Sequence, residues 1–189
     1  MAILAGGLAT RLGPLTKETP KSLIQIQGKP FLQYQLDFLK RGGIRDIVVC
    51  VGYLGEQIEE YFGDGRKFNL NIEYSYDGAN LLGTAGALKN AERLFENEFF
   101  IMYGDSYLFF DFSAIVSHFR RFDKLGLMVV YKNYDQYDTS NVAIGDNLVK
   151  KYSKKRKTKD MVYIDYGASV LRKKALELVP SGRAYSLEK

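Results

Sequence analysis

Short apolar runs alternate with helical stretches through the first 130 positions of this 189-residue chain. Ile47–Val51 and Phe99–Tyr103 are apolar throughout, a pattern typical of strands that are covered on both faces. Between them, Phe31, Tyr34 and Phe38 recur with helical spacing. Strands that alternate with helices form sheets that are mainly parallel and carry helices on both faces. The sequence therefore predicts an α/β fold built on a mainly parallel, mixed sheet, in a single domain.

The later part of the chain follows a different pattern. Gly145-Asp146-Asn147 stands between two short apolar segments and predicts a hairpin, and a further strand is predicted over Val162–Leu171. We therefore expect residues 1–130 to form the core of the domain and residues 131–189 to form a smaller elaboration of it.

The net charge of +5 arises from one segment, residues 150–159, which carries seven positive charges and no negative ones. Without that segment the chain carries about −2, so a nucleic-acid-binding face spread over the fold is not expected. Two interpretations of the segment stay open: a solvated loop, or a loop that helps to hold an anionic substrate. The chain has no run of eighteen apolar residues and no charged region ahead of an apolar stretch, so we expect a cytoplasmic protein without a membrane span.

Cysteine and histidine occur once each, as Cys50 and His118. Cys50 lies in an apolar strand and is expected to be a buried, inert thiol. One residue of each kind excludes zinc sites and Cys/His catalysis. Any metal ion must then be held by carboxylates, which favours Mg²⁺ or another hard cation.

A glycine turn follows the first apolar run, Ile3-Leu4-Ala5. Successive N–H groups in a turn such as Gly6-Gly7 form a concavity suited to anions. Arg11 adds a planar group that can bind phosphate oxygens in pairs, and Lys21 adds a compact charge. The segment predicts a polyphosphate site, although its spacing matches neither the Walker loop nor the Rossmann fingerprint.

The residues of this turn, Gly6-Gly7-Leu8-Ala9-Thr10-Arg11-Leu12 followed by Pro20-Lys21, resemble the signature of sugar-1-phosphate nucleotidyltransferases, G-G-x-G-T-R-L and a Pro-Lys pair. Ala9 departs from the family, which usually has glycine there. Leu82–Leu88, which is predicted to open a helix that continues through Phe95, resembles the nucleotide contact of the same family. Gly104-Asp105 resembles its metal-binding Gly-Asp pair. These segments follow one another in the family's order, which implies a Rossmann-like nucleotidyltransferase domain.

The resemblance also implies roles for individual residues. The catalytic residues would be Arg11, Lys21 and Asp105, and Asp105 would hold Mg²⁺. The nucleotide would be bound by Ala5, Gly6, Gly7, Thr10, Gly83 and Thr84. The sugar phosphate would be bound by Lys154, Gly167 and Glu188.

The family usually carries a second metal-binding aspartate beyond the sugar-side segment, and the chain ends at Lys189 before that place. We expect either that the polypeptide is truncated, that Asp165 or Asp111 substitutes, or that the metal is held less well. The implied reaction is attack of a sugar 1-phosphate, of the heptose or mannose type, on the α-phosphorus of a nucleoside triphosphate such as GTP. Two other functions stay open: a non-catalytic nucleotide- or sugar-sensing domain, and a cytidylyltransferase for phosphocholine-like substrates.

Overall fold

The computed structural model describes residues 1–8, 13 and 17–188. Ala9, Thr10 and Arg11 lie outside the described residues, so the roles predicted for Thr10 and Arg11 stay predictions. Within the described part, no helix combines the length and the apolar character that crossing a membrane requires.

One eight-stranded sheet organises the described chain, in the order β5-β4-β1-β6-β10-β8-β9, with β7 paired to β10. The strands are β1 (Ala2–Leu4), β2 (Gln25–Ile26), β3 (Lys29–Pro30), β4 (Asp46–Val51), β5 (Asn71–Tyr76), β6 (Glu98–Tyr103), β7 (Gly126–Lys132), β8 (Val142–Gly145), β9 (Leu148–Tyr152) and β10 (Tyr163–Arg172). The helices are α1 (Phe31–Arg41), α2 (Gly55–Phe62), α3 (Gly83–Asn90) and α4 (Phe112–Phe119). Strands β5, β4, β1 and β6 are parallel, whereas β10 runs antiparallel to β6. The predicted α/β Rossmann-like fold is confirmed.

The central strands of the sheet are buried on both faces, because neighbouring residues along them pack into different clusters. In β4, Val49 and Val51 pack with Leu36 of α1 and Ile58 of α2. Val48 and Cys50, which point to the opposite face, pack with α3 and with the 3₁₀ helix Lys173–Leu178. The continuous apolar runs of the sequence arise from this double coverage.

The β8–β9 hairpin confirms the turn predicted from sequence. Asp146 and Asn147 have φ values of 55° and 58°, the left-handed pair that a two-residue type I′ turn requires. The two strands pair antiparallel on either side of it.

The helix predicted to run from Gly83 through Phe95 is shorter. Helix α3 ends at Asn90, and a 3₁₀ turn, Glu92–Leu94, follows it. The ring of Phe95 then stacks on that of Phe99, with centroids 4.2 Å apart. The extended backbone of Phe95 carries the chain toward β6 and ends the helical path.

Candidate active site

A cleft of about 270 Å³ opens where the parallel strands end. Its walls come from the segments that follow β1 and β6, from the start of α3, and from the 3₁₀ turn at Lys21. Carboxyl ends of parallel strands meet at one edge of a sheet, which is where ligands bind in open α/β folds. Seven residues predicted from the sequence line this cleft: Ala5, Gly6, Gly7, Lys21, Gly83, Thr84 and Asp105.

The glycine turn forms the wall that follows β1. Ala5 continues the ladder, because its N–H donates to the carbonyl of Cys50 at 2.8 Å. Gly6 packs against the backbone of Gly52, where a Cβ atom on Gly6 would lie 3.2 Å from the Gly52 nitrogen. A Cβ atom on Gly7 would meet no atom of the described residues within 4 Å. The turn is therefore closed toward the sheet and open toward the cleft.

Lys21 and Asp105 face each other across the cleft. Lys21 Nζ donates to Asp105 Oδ2 at 2.9 Å, although 84 residues separate them in sequence. The two side chains are 38% and 51% exposed, so solvent and ligands reach both groups. An exposed ion pair of this kind is worth little in stability, and its members are available to other partners.

The start of α3 forms another wall of the cleft. The N–H groups of Ala85 and Gly86 both donate to the carbonyl of Tyr185, at 3.0 and 3.1 Å. These two N–H groups at the start of the helix are therefore already bound by the chain itself. Gly83 has a φ of +69°, and a Cβ atom there would lie 2.9 Å from the Tyr185 oxygen. The missing side chain of Gly83 thus serves the packing of Tyr185 in addition to lining the cleft.

Two further contacts attach the same terminal stretch, which we name the strap (residues 183–188), to α3. Leu187 N donates to the hydroxyl oxygen of Thr84 at 2.9 Å. A Cβ atom on Gly86 would lie 2.9 Å from the Arg183 carbonyl oxygen. The glycines of the Gly-Thr-Ala-Gly motif allow the strap to lie across the first turn of the helix.

The three residues predicted to bind the sugar phosphate gather beside Tyr103, which itself lines the cleft. Lys154 Nζ lies 5.0 Å from the centre of the Tyr103 ring and 4.0 Å from Glu188 Oε1. Gly167 has a φ of +90°, and a Cβ atom there would lie 2.5 Å from Ser106 Oγ. The predicted sugar side therefore adjoins the cleft.

Asp165 and Asp111, the predicted substitutes for a second metal-binding carboxylate, do not line the cleft. Asp165 accepts from Tyr152 Oη and from the N–H of Gly167, both at 2.9 Å, in a neighbouring cavity of about 230 Å³. Asp111 caps α4, where its Oδ1 accepts from the N–H of Ser113 at 2.8 Å. No cluster of three or more His, Cys, Asp or Glu side chains suited to a metal occurs in the part of the chain that the structure describes.

Asp77 lines the cleft and was not predicted from the sequence. Its Oδ2 accepts from the N–H of Leu82 at 3.0 Å. Burial raises the pKa of the Asp77 carboxyl above its usual value, and the hydrogen bond from Leu82 opposes that rise. The available signal was the Asp77-Gly78 pair directly after β5, which resembles the Gly104-Asp105 pair directly after β6 with the order of the two residues reversed.

Cys50 is among the residues that line the cleft, yet it is only 1% exposed. Burial raises the pKa of its thiol to about 12, which agrees with the inert thiol predicted from the sequence.

Four lysines of the basic segment 150–159 pair with acidic side chains. The pairs are Lys150–Asp146, Lys151–Asp160, Lys154–Glu188 and Lys157–Asp135. Of these, only the pair with Glu188 adjoins the cleft, through Tyr103. The pairs of Lys150, Lys151 and Lys157 thus fit the interpretation of a solvated loop. Lys154 is the lysine among these four whose position suits a role in holding a substrate.

Comparison with known proteins gives concordant similarities. The family model described as nucleotidyl transferase matches residues 1–170. A UTP–glucose-1-phosphate uridylyltransferase of Synechocystis sp. is 30% identical over 202 residues, which cover 98% of this chain and 52% of that protein. A D-glycero-alpha-D-manno-heptose 1-phosphate guanylyltransferase of Campylobacter jejuni is 36% identical over 141 residues, 74% of this chain and 62% of that protein. The chain thus spans about half the length of the uridylyltransferase. The crystal structure of HddC from Yersinia pseudotuberculosis complexed with GMP-PN has a TM-score of 0.81 at 27% identity, covering 99% of this chain and 82% of that one.

Proposed function

The chain belongs to the nucleotidyl transferase family, and from that premise we propose that it transfers a nucleotidyl group from a nucleoside triphosphate to a sugar 1-phosphate. The observation that carries the proposal is the pairing of Lys21 with Asp105 at 2.9 Å, in the cleft that the glycine turn also lines. A cation and a carboxylate in one cleft with exposed amides are the groups that a polyphosphate and its metal ion require.

In the proposed reaction an oxygen of the sugar 1-phosphate forms a bond to the α-phosphorus of the nucleotide. The bond from that phosphorus to the bridging oxygen breaks, and pyrophosphate leaves with the electron pair. The attacking phosphate is already an anion, so the chain needs to supply neither a nucleophile nor a base. Catalysis then consists of positioning and of charge stabilisation. Lys21 would neutralise charge at the α-phosphate. Arg11, the arginine of the family signature, would bind the departing pyrophosphate.

Members of this family generally use a divalent metal ion, and we propose that Asp105 holds Mg²⁺. The fit rests on a carboxylate that is 51% exposed in the cleft. Magnesium keeps several of its waters and is often bound through one or two carboxylates together with substrate phosphates. When bound, it would neutralise phosphate charge.

For the sugar side we propose Lys154 as the phosphate ligand, beside Tyr103 and near Glu188. Lys154 carries the charge that a sugar phosphate needs, and the absence of a side chain on Gly167 lets Ser106 pack closely beside Tyr103. GTP with a heptose- or mannose-type phosphate is the proposed substrate pair, supported by the name of the Campylobacter relative. UTP is the competing nucleotide, supported by the name of the Synechocystis relative. Cytoplasm, where nucleoside triphosphates are made, is the proposed location.

The test is a matrix of ATP, CTP, GTP and UTP against sugar 1-phosphates and phosphocholine, with pyrophosphate release as the measurement. We expect release with one nucleotide and a sugar 1-phosphate, in equal amount to the nucleoside diphosphate sugar detected by mass spectrometry. Asp105→Asn keeps the shape of the side chain and removes its charge. We expect this variant to release less pyrophosphate than the native chain.

Two results would contradict the proposal. Nucleotide binding by calorimetry, without pyrophosphate release in any combination, would identify a sensing domain. Release that requires CTP and phosphocholine, and no sugar, would identify a cytidylyltransferase.

A further inference from the structure

Gln35 is a buried polar residue on α1, at the inner side of the turn that carries Asp105. It is 1% exposed. Its Nε2 donates to the carbonyl of Tyr103 at 2.9 Å and to the carbonyl of Ser106 at 2.6 Å. These two carbonyl groups stand immediately before and after Gly104-Asp105. One amide group therefore spans the turn from which the carboxylate projects.

The carbonyl oxygen of the same side chain is unpaired. Gln35 Oε1 is buried and has no hydrogen-bond partner in the described part of the chain. An unpaired buried acceptor is unfavourable, and the neighbouring buried residues of α1 are apolar, Leu32, Leu36 and Leu39. An apolar side chain of the same length would fill the same buried space. What the amide adds is its pair of donors.

The turn has a second attachment on the side of β1. Gly104 N donates to the carbonyl of Leu4 at 2.9 Å, which fixes the first residue beyond the strand. The contact from Gln35 to Ser106 fixes the far end of the turn. Asp105 lies between the two attachments, with Oδ2 2.9 Å from Lys21 Nζ.

We propose that Gln35 is a positioning residue, which holds the turn at Gly104–Ser106 so that the Asp105 carboxylate faces the cleft. Gln35 is not among the residues that line the cleft, and it acts through the backbone of the turn. This inference rests on the proposed function in one respect, the role of Asp105 toward a divalent cation.

The test compares Gln35→Met, which keeps the length of the side chain and removes its donors, with Leu39→Val, a buried change on the same helix. Hydrogen–deuterium exchange of the 104–106 amides is measured on the full chain without metal. Calorimetry of GTP binding at a series of Mg²⁺ concentrations gives the Mg²⁺ requirement. For Gln35→Met we expect exchange and the Mg²⁺ concentration for half-maximal binding each to rise roughly tenfold, since a hydrogen bond is lost at each end of the turn. Saturating Mg²⁺ should restore GTP affinity.

Leu39→Val should leave both quantities unchanged while lowering the melting temperature. The proposal is overturned if Gln35→Met leaves either quantity at the native value, or if Leu39→Val raises both as much. Neither measurement requires turnover. A native chain that binds GTP with Mg²⁺ and releases no pyrophosphate would therefore contradict the proposed function and not this inference.

Discussion

Lys21 Nζ lies 2.9 Å from Asp105 Oδ2, and both side chains are more than a third exposed. In the structure, each of these charges is neutralised by the other. In the proposed function, Lys21 would exchange Asp105 for phosphate oxygens, and Asp105 would exchange Lys21 for the cation. Because exposed ion pairs contribute little to stability, substitutions here should separate function from folding.

Lys21→Ala should reduce the rate of pyrophosphate release by roughly 10²–10³, comparable with the loss of one transition-state donor. The free energy of unfolding in urea should change by less than about 1 kcal/mol, because the ion pair is exposed. Lys29→Ala is the matched control, since Lys29 pairs with Asp37 and does not line the cleft. A Lys21→Ala protein that turns over at the rate of the control would contradict the role of Lys21.

Gly83→Ala should destabilise the protein more than Gly78→Ala. Both glycines have positive φ, +69° and +82°, so both substitutions meet the same kind of backbone strain. At Gly83 the new methyl group would lie 2.9 Å from the Tyr185 oxygen, whereas at Gly78 it would meet no atom of the described chain within 4 Å. Overpacking of this kind costs about 1–3 kcal/mol. Urea unfolding measures the difference in the free energy of unfolding. Equal losses in the two variants would show that the strap moves away from the new methyl group at no cost.

Asp77→Asn should stabilise the protein at pH 7, and the gain should shrink as the pH falls toward 4. Burial raises the pKa of Asp77 in the folded state, so protonation favours folding, and that favourable contribution is lost as the pH rises through the folded pKa. Asparagine carries no charge and keeps an oxygen that can accept from the N–H of Leu82. Melting temperatures between pH 4 and pH 8 check the trend. A loss of stability at pH 7 would mean that the hydrogen bond outweighs the effect of burial.

Asp111→Ala should lower the melting temperature at pH 7 without changing the Mg²⁺ requirement. Hydrogen bonds from the Ser113 hydroxyl and from the N–H groups of Ala114 and Ser113 lower the pKa of Asp111. A carboxylate with a lowered pKa contributes stability above its unfolded pKa and loses it as the pH falls through the folded value. The difference from the native protein should therefore disappear in acid. An altered Mg²⁺ requirement would instead support Asp111 as a metal ligand.

Local patterns were sufficient to predict most of the fold. The apolar runs predict β4 and β6, and the Gly-Asp-Asn sequence predicts the β8–β9 hairpin, because these features depend on neighbours in sequence. That the glycine turn after β1 and Asp105 after β6 share one cleft was predictable too, since parallel strands present their carboxyl ends together.

Contacts between distant segments were not accessible in this way. The strap reaches Thr84 from Leu187, 103 residues away, and nothing local to either residue marks the other. Gln35 reads as one more position on an amphipathic helix, and only the packing of α1 beneath β6 gives its amide two carbonyl groups. Asp77 follows a strand that alternates, a weaker signal than the apolar run before Asp105.

The N–H groups of Ala85 and Gly86 at the start of α3 already hold the Tyr185 carbonyl. This end of the cleft therefore recognises an incoming compound by its shape and by hydrogen bonds more than by attracting negative charge. Lys21 and the glycine turn are the groups that attract negative charge. An inhibitor designed for this protein should accordingly carry its acidic group toward Lys21 and a neutral, flat group toward Gly83.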